Sequence, residues 1–182
     1  MHAPRFFAAS AVAFLVAGCV IPVGAPAPSP PALSKESAGA IAGAGSSAYS
    51  DTEARIFELI NAERRHQGLP ALAYNPQLDR MAKIQAANMA HLHKMAHTLP
   101  ESQLPTLGDR ALYVGYVFGR MAENVAEGYP NAETVVQGWM GSSGHRHNIL
   151  NADVVETGIG IVRAQGGGLY FCQVFGRRLT SL

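Results

Sequence analysis

Apolar residues recur every three or four positions in three segments of the chain, which is the spacing of an amphipathic helix. Each segment opens on a residue whose side chain can cap a first turn: Asp51 or Thr52, then Asn75, then Asn131. The first helix should end near Gly68 and the third at 141–144. A proline at the first position of the second helix, Pro76, favours a start there. A shorter helix is expected at 109–115.

Three later segments are typical of β-strands, and they span residues 121–127, 157–164 and 169–177. The glycines at 166–168 predict a hairpin loop between the last two strands, while residues 98–108, with two prolines, predict an irregular loop. Helices precede strands without regular alternation. We therefore predict an α+β domain with an antiparallel sheet.

The first residues have the layout of a secretory signal. Residues 1–5 carry one positive charge, residues 6–17 are uncharged and apolar, and small residues then lead to Cys19. This ending resembles the bacterial lipobox, so we predict a lipoprotein signal peptide at 1–18 and acylation of Cys19, with palmitate among its lipids. An uncleaved signal anchor over 6–23 is the alternative, and Pro22 weakens it. The expected location is the bacterial cell envelope, lipid-anchored to a membrane.

Residues 19–50 read as the lipidated cysteine followed by a disordered tether rich in Pro, Ala, Gly and Ser. Such a segment could hold a domain on the order of 30 Å from the membrane. Residues 51–182 remain as one folded domain, which is long enough for a single core.

Composition narrows the function further. The 182 residues include 14 Lys and Arg against 13 Asp and Glu, and loss of residues 1–18 would remove Arg5 and leave 13 against 13. Without a basic excess, nucleic acid is not an expected partner. The only cysteines are Cys19 and Cys172, which excludes a disulfide framework.

Candidate chemistry centres on His97, Glu123 and His145. Glu123 lies inside an apolar strand, so its carboxylate needs a partner, and we take the histidines as the candidates. Two imidazoles and a carboxylate could relay a proton, or they could hold a divalent cation beside a water. Glu123 could equally be a structural acid that organises the histidines without any chemistry.

Several other residues receive simpler interpretations. His93 precedes His97 by four positions, which would be metal-ligand spacing if the second helix extended that far. We expect His147 to be exposed, Trp139 to lie in the core, and Cys172 to be a buried and inert thiol.

The order of these motifs resembles a bacterial CAP domain, also called SCP. This superfamily covers cysteine-rich secretory proteins, antigen 5 and pathogenesis-related 1 proteins. The resemblance covers residues 54–177, and it implies an α-β-α sandwich. The motifs that carry it are Leu59-Ile60-Asn61-Ala62-Glu63-Arg64, Ala96-His97-Thr98, Gly108-Asp109-Arg110, Glu123-Asn124-Val125-Ala126, Gly144-His145-Arg146-His147-Asn148-Ile149-Leu150, Gly158-Ile159-Gly160 and Gln173-Val174-Phe175-Gly176.

The resemblance also implies a central cleft with two histidines and two acidic residues. By motif these are His97, His145, Glu123 and, as the weaker candidate, Asp109. Some members bind Zn²⁺ or another divalent cation through the histidine pair. This chain departs from the family pattern at Ala122, where glycine is common, and at 171–172, where Trp and then Thr or Val are common. The disulfides of eukaryotic members are absent.

Three functions are compatible with these residues. The first is an envelope lipoprotein whose His/Glu cleft binds a lipid or cell-wall fragment, with or without a divalent cation. The second is a metal-dependent hydrolase in which His97 and His145 hold the ion and Glu123 acts as base. The third is a structural or adhesive module with a vestigial cleft. Since imidazoles bind metals only when neutral, cation affinity should fall below about pH 6.5.

Overall fold

The computed structural model describes residues 47–179, which form five helices and four strands. The predictions for the signal peptide, for Cys19 and for residues 20–46 lie outside the described residues. The helices are α1 (Ser47–His66), α2 (Pro76–Leu92), α3 (Leu107–Val114), α4 (Ala132–Gly141) and α5 (Ser143–Ile149). The strands are β1 (Ala73–Tyr74), β2 (Phe118–Glu127), β3 (Glu156–Arg163) and β4 (Leu169–Arg178). Within this range, no helix is both long and apolar enough to span a bilayer.

The predicted caps of α2 and α4 are confirmed. The Asn75 side chain accepts hydrogen bonds from the first turn of α2, and Asn131 accepts one from the backbone of Thr134. Helix α1 instead begins at Ser47, before the predicted cap and inside the segment assigned to the tether. Helix α3 begins at Leu107, two residues earlier than expected.

Helix α5 was not predicted. Ser142 is extended, with φ −98° and ψ 123°, and it alone separates α4 from α5. The glycines at 141–144 indicate the end of a helix, while seven residues are too few to show a periodic apolar pattern. His145, which we expected simply to follow the third helix, therefore lies on a helix of its own.

The four strands form one sheet in the order β1-β3-β4-β2. Strand β4 pairs antiparallel with both β2 and β3, which confirms the predicted arrangement of the long strands. The two residues of β1 add a parallel edge beside β3. So short a strand has no alternation that the sequence could reveal. Strand β2 forms the opposite edge.

Helices cover both faces of this sheet. On one face, α1, α4 and α5 pack around Trp139, Phe171 and Phe175. On the other face, α2 and α3 pack against side chains that include Tyr170 and Cys172. Neighbouring residues of β4 thus enter opposite cores, as strand geometry requires. The α+β class and the three-layer α-β-α sandwich are confirmed.

Two glycines of β3 let α2 approach the sheet closely. A Cβ atom built on Gly158 would overlap the backbone of Leu78 and Asp79, and one built on Gly160 would overlap that of Ala82 and Lys83. Because the obstruction is backbone, no side-chain rotation could relieve it. The Gly158-Ile159-Gly160 element therefore fixes the separation between α2 and the sheet.

Arg64 of α1 ties together the segments around the end of α5. Its side chain is buried, and it donates to the carbonyls of Pro70 at 2.9 Å, Ile149 at 2.7 Å and Asn151 at 2.8 Å. A guanidinium at the C-terminus of a helix is also favoured by the helix dipole. Arg64 thereby holds α5 in place against α1.

Candidate functional site

The loop after α2 brings His97 to Glu123 on β2. His97 Nδ1 lies 3.0 Å from Glu123 Oε1. The side chain of Glu123 is 4% exposed, whereas that of His97 is 57% exposed. A buried carboxylate and a largely exposed imidazole are therefore joined by a hydrogen bond that orients the imidazole ring.

The second partner of Glu123 is Arg110, which sequence reasoning missed. Arg110 Nη2 lies 2.6 Å from Glu123 Oε2, and the arginine side chain is fully buried. Its Nη1 also donates to the carbonyl of Leu104 at 3.3 Å. Histidines were the predicted partners of the carboxylate. The Gly108-Asp109-Arg110 motif contained a signal for this partnership. An arginine that faces the core from a short helix needs an opposite charge, and Glu123 provides one.

Cys172 of β4 is the third group near this carboxylate. Its sulfur lies 3.5 Å from Glu123 Oε2, and the residue is fully buried, as predicted. Burial, together with the negative charge of Glu123, raises the pKa of the Cys172 thiol well above its usual range. The thiol is thus an uncharged donor in the site and no nucleophile. We call Glu123, Arg110, His97 and Cys172 the Glu123 cluster.

His145, the second predicted histidine, lies on α5. Burial lowers the pKa of His145, and the nearby His97 lowers it further when charged. The structure therefore brings the two predicted histidines close enough to interact electrostatically. His145 is half-buried, while His147 two residues later is exposed, as we expected.

Two asparagines connect α5 to β2. Asn124 Nδ2 donates to the carbonyl of His145 at 3.2 Å. Asn148 Nδ2 donates to the carbonyl of Glu123 at 3.2 Å and to Asn124 Oδ1 at 2.9 Å. These bonds fix the backbone of α5 against the strand that carries Glu123. Both asparagines lie in the predicted motifs, but we assigned them no role.

A buried glutamine of α2 holds the loop that carries His97. Gln85 Nε2 donates to the carbonyls of Ala96 at 2.6 Å and His97 at 3.4 Å. Gln85 is fully buried on the helix face that we predicted to be mostly apolar. The backbone of His97 is thus anchored separately from its ring.

Two other candidate residues, Asp109 and His93, lie at the ends of helices. The Asp109 carboxylate accepts hydrogen bonds from the backbone and hydroxyl of Thr106, which closes a capping box at the start of α3. Helix α2 ends at Leu92, and His93 follows it in the left-handed conformation, with φ 49°. His93 and His97 therefore do not share a helix face. The metal-ligand spacing expected if the second helix extended to His97 is not present.

A three-layer sandwich in which a histidine contacts a buried carboxylate on an edge strand is typical of a CAP-type domain. Residues 57–175 match the family model described as "CAP: Cysteine-rich secretory protein family". The chain belongs to this family, which confirms the resemblance drawn from the motifs.

Relatives support the same assignment. The uncharacterized protein YkwD of Bacillus subtilis (strain 168) is 34% identical over 134 residues, which are 72% of this chain and 49% of YkwD. An extracellular SCP-domain protein of Bacillus anthracis has 30% identity and a TM-score of 0.64, covering 71% of this chain and 41% of the other. An outer surface protein of Borrelia burgdorferi has the same fold, at 22% identity and a TM-score of 0.66, covering 72% and 96%. This chain spans about half or less of the two Bacillus proteins.

A more distant structure of the same fold, NaASP2, was solved with Zn²⁺. It has 14% identity and a TM-score of 0.51, covering 77% of this chain and 85% of the other. Across residues 47–179, no group of three or more His, Cys, Asp and Glu side chains is arranged to hold a metal ion.

Proposed function

We propose that this protein is an envelope-anchored lipoprotein whose CAP domain binds a lipid or cell-wall fragment in the His97–His145 cleft, through a divalent cation such as Zn²⁺. The observation that carries the proposal is the contact of His97 Nδ1 with the buried carboxylate of Glu123. It leaves the Nε2 side of an exposed ring available to a ligand, next to a second imidazole.

The donor set suits a cation held by two protein ligands. Metal-binding histidines usually donate their other ring N–H to a carboxylate, and His97 Nδ1 lies within hydrogen-bonding distance of Glu123 Oε1. Catalytic zinc usually has three protein ligands and one open position, so two imidazoles would leave at least two positions for water or ligand atoms. A bound cation would supply a positive centre that accepts an oxygen lone pair from the ligand.

The contacts of Glu123 favour binding over hydrolysis. A hydrolase of the kind considered above needs a carboxylate free to take a proton from water. Both oxygens of Glu123 already have protein partners within hydrogen-bonding distance, and the side chain is buried. Glu123 is therefore better suited to orient His97 than to act as a base.

Calorimetric titration of Zn²⁺ into the full chain in detergent at pH 7.5 tests the cleft. We expect His97→Ala and His145→Ala each to weaken binding at least about tenfold, because each removes a direct ligand. His147→Ala is the matched control, since that imidazole is exposed on the same helix and should leave the affinity unchanged. Equal affinity in all four proteins would contradict the proposal.

Mass spectrometry of the protein purified from its membrane tests the anchor. We expect a chain that begins at Cys19 and carries acyl mass, with Cys19→Ser releasing the protein from the membrane fraction. A chain that begins before Cys19 without added mass would overturn the lipoprotein part and leave the cleft untouched.

A further inference from the structure

Glu123 has a donor on each of its oxygens and a second donor close to one of them. Arg110 Nη2 and the Cys172 sulfur approach Oε2, at 2.6 and 3.5 Å, and His97 Nδ1 approaches Oε1 at 3.0 Å. We propose that Arg110 and Cys172 are positioning residues, which fix Glu123 so that Oε1 locks His97 in the tautomer with its proton on Nδ1. The inference rests on the proposed function, since the cation or ligand of that function would bind at the remaining ring nitrogen, Nε2.

The assignment of the proton follows from the hydrogen-bonding capacity of each group. An ionised carboxylate only accepts hydrogen bonds, and a guanidinium only donates them. Oε2 is therefore committed to Arg110, and Oε1 must accept from Nδ1. A neutral imidazole has one N–H, so Nε2 keeps its lone pair.

Burial makes the arrangement rigid. The side chains of Arg110 and Glu123 are 0% and 4% exposed, so water cannot easily replace either partner. Arg110 is in turn fixed by its bond to the carbonyl of Leu104. A carboxylate turned away from Arg110 would leave a buried charge unpaired, which is strongly unfavourable.

The substitution Glu123→Gln should invert the tautomer. The amide has nearly the same shape, but only its oxygen can accept from Arg110, so its NH₂ group would face His97 Nδ1. Nδ1 would then have to accept, and the ring proton would move to Nε2. The same substitution made together with Arg110→Met should weaken this preference, because only the weaker donor Cys172 then favours the amide oxygen at that position.

Long-range ¹H–¹⁵N correlation spectra of the labelled full chain in detergent test this, since protonated and bare ring nitrogens have distinct ¹⁵N shifts. With metal removed, at a pH where imidazoles are neutral, we expect Nδ1–H to be favoured at least about tenfold in the wild type and Nε2–H in Glu123→Gln. Cys172→Val, which removes the weaker donor, should reduce the wild-type preference without inverting it. Glu127→Gln, an exposed change on the same strand, is the control and should leave the tautomer of His97 unchanged.

A wild-type proton on Nε2, or an unchanged tautomer in Glu123→Gln, would overturn the inference. If Arg110→Met prevents folding, Cys172→Val in the Glu123→Gln background tests the same oxygen, and an unchanged preference there would count against the positioning role. Zn²⁺ titration of the same samples separates the two proposals. An inverted tautomer with unchanged affinity would leave the positioning inference intact and refute the cation-binding function.

Discussion

The two candidate histidines, His97 and His145, are held in different ways. The ring of His97 is oriented by a charged chain of contacts, from Arg110 through Glu123 to Nδ1. His145 is positioned through its backbone, by Asn124 and by the placement of α5 as a whole. The direction of one imidazole thus depends on ionic partners, and the place of the other depends on helix packing. Changes to charge should disturb His97, whereas changes to the support of α5 should disturb His145.

The largest effect that can test this difference is expected from Arg64→Met. The change leaves four carbonyl acceptors, those of Pro70, Ile149, Asn151 and Val154, without their Arg64 donor, and we expect the free energy of unfolding to fall by about 3–5 kcal/mol. Urea denaturation measures the loss. In the folded fraction, Zn²⁺ affinity should fall because α5 is displaced, while the tautomer of His97 should persist.

Arg65→Met is the matched control, because Arg65 is the exposed neighbour of Arg64 on the same helix. Its effect on the free energy of unfolding should stay within about 0.5 kcal/mol. A lost tautomer preference in Arg64→Met would show that the two histidines share one support.

A smaller loss is expected from Asn148→Ala. The carbonyl of Glu123 and the Oδ1 of Asn124 would lose their donor, which should cost about 1–3 kcal/mol of unfolding free energy. His147→Ala, on the exposed side of α5, should change little. An equal loss of stability in both variants would indicate that the asparagine bonds do not hold α5 to β2.

The sequence predicted the long elements of this fold and missed the short ones. Asn75 and Asn131 each precede two or more turns of periodic apolar residues, so cap and pattern agree. Strand β1 and helix α5 span two and seven residues, and their places are set by tertiary contacts, such as the pairing of Tyr74 with Thr157. Local pattern carries no information about such contacts.

The candidate site was also predictable only in part: the sequence indicated its carboxylate but not the arginine that pairs with it. Glu123 stood out because a carboxylate in an apolar strand needs a partner. The partnership with Arg110 joins α3 to β2 across the core, and no periodicity connects the two residues. The role of Asp109 had a readable signal, since Thr106 three positions earlier forms the pattern of a capping box.

The stability of the metal-free protein should depend on pH through His145. Burial and the charge of His97 lower the pKa of His145 in the folded protein, while in the unfolded chain it lies near 6.5. As the pH falls below about 6.5, His145 becomes protonated in the unfolded chain while it is still neutral in the folded protein. The stabilisation is therefore complete above about pH 6.5 and is lost as the pH falls through the folded pKa.

Urea midpoints between pH 8 and 5 measure this dependence. The wild type should lose more stability on acidification than His145→Gln, which has no group to titrate at that position. A steeper loss in His145→Gln would mean that the folded protein favours the charged imidazole, contrary to the half-buried position of His145.

The smallest effect concerns His93, beside the loop that carries His97. His93 follows α2 with φ 49°, a conformation that glycine adopts without strain, so His93→Gly should raise the free energy of unfolding by about 0.5–1 kcal/mol. His91→Gly, within the last turn of α2, should lower it by a similar amount. Zn²⁺ affinity should be unchanged in both, because the cleft is held by Glu123 and α5 and not by the end of α2. Weaker Zn²⁺ binding in His93→Gly alone would indicate that His93 is a third imidazole ligand. The contacts from Arg110 through Glu123 to His97 would then not suffice to explain Zn²⁺ binding beside His97.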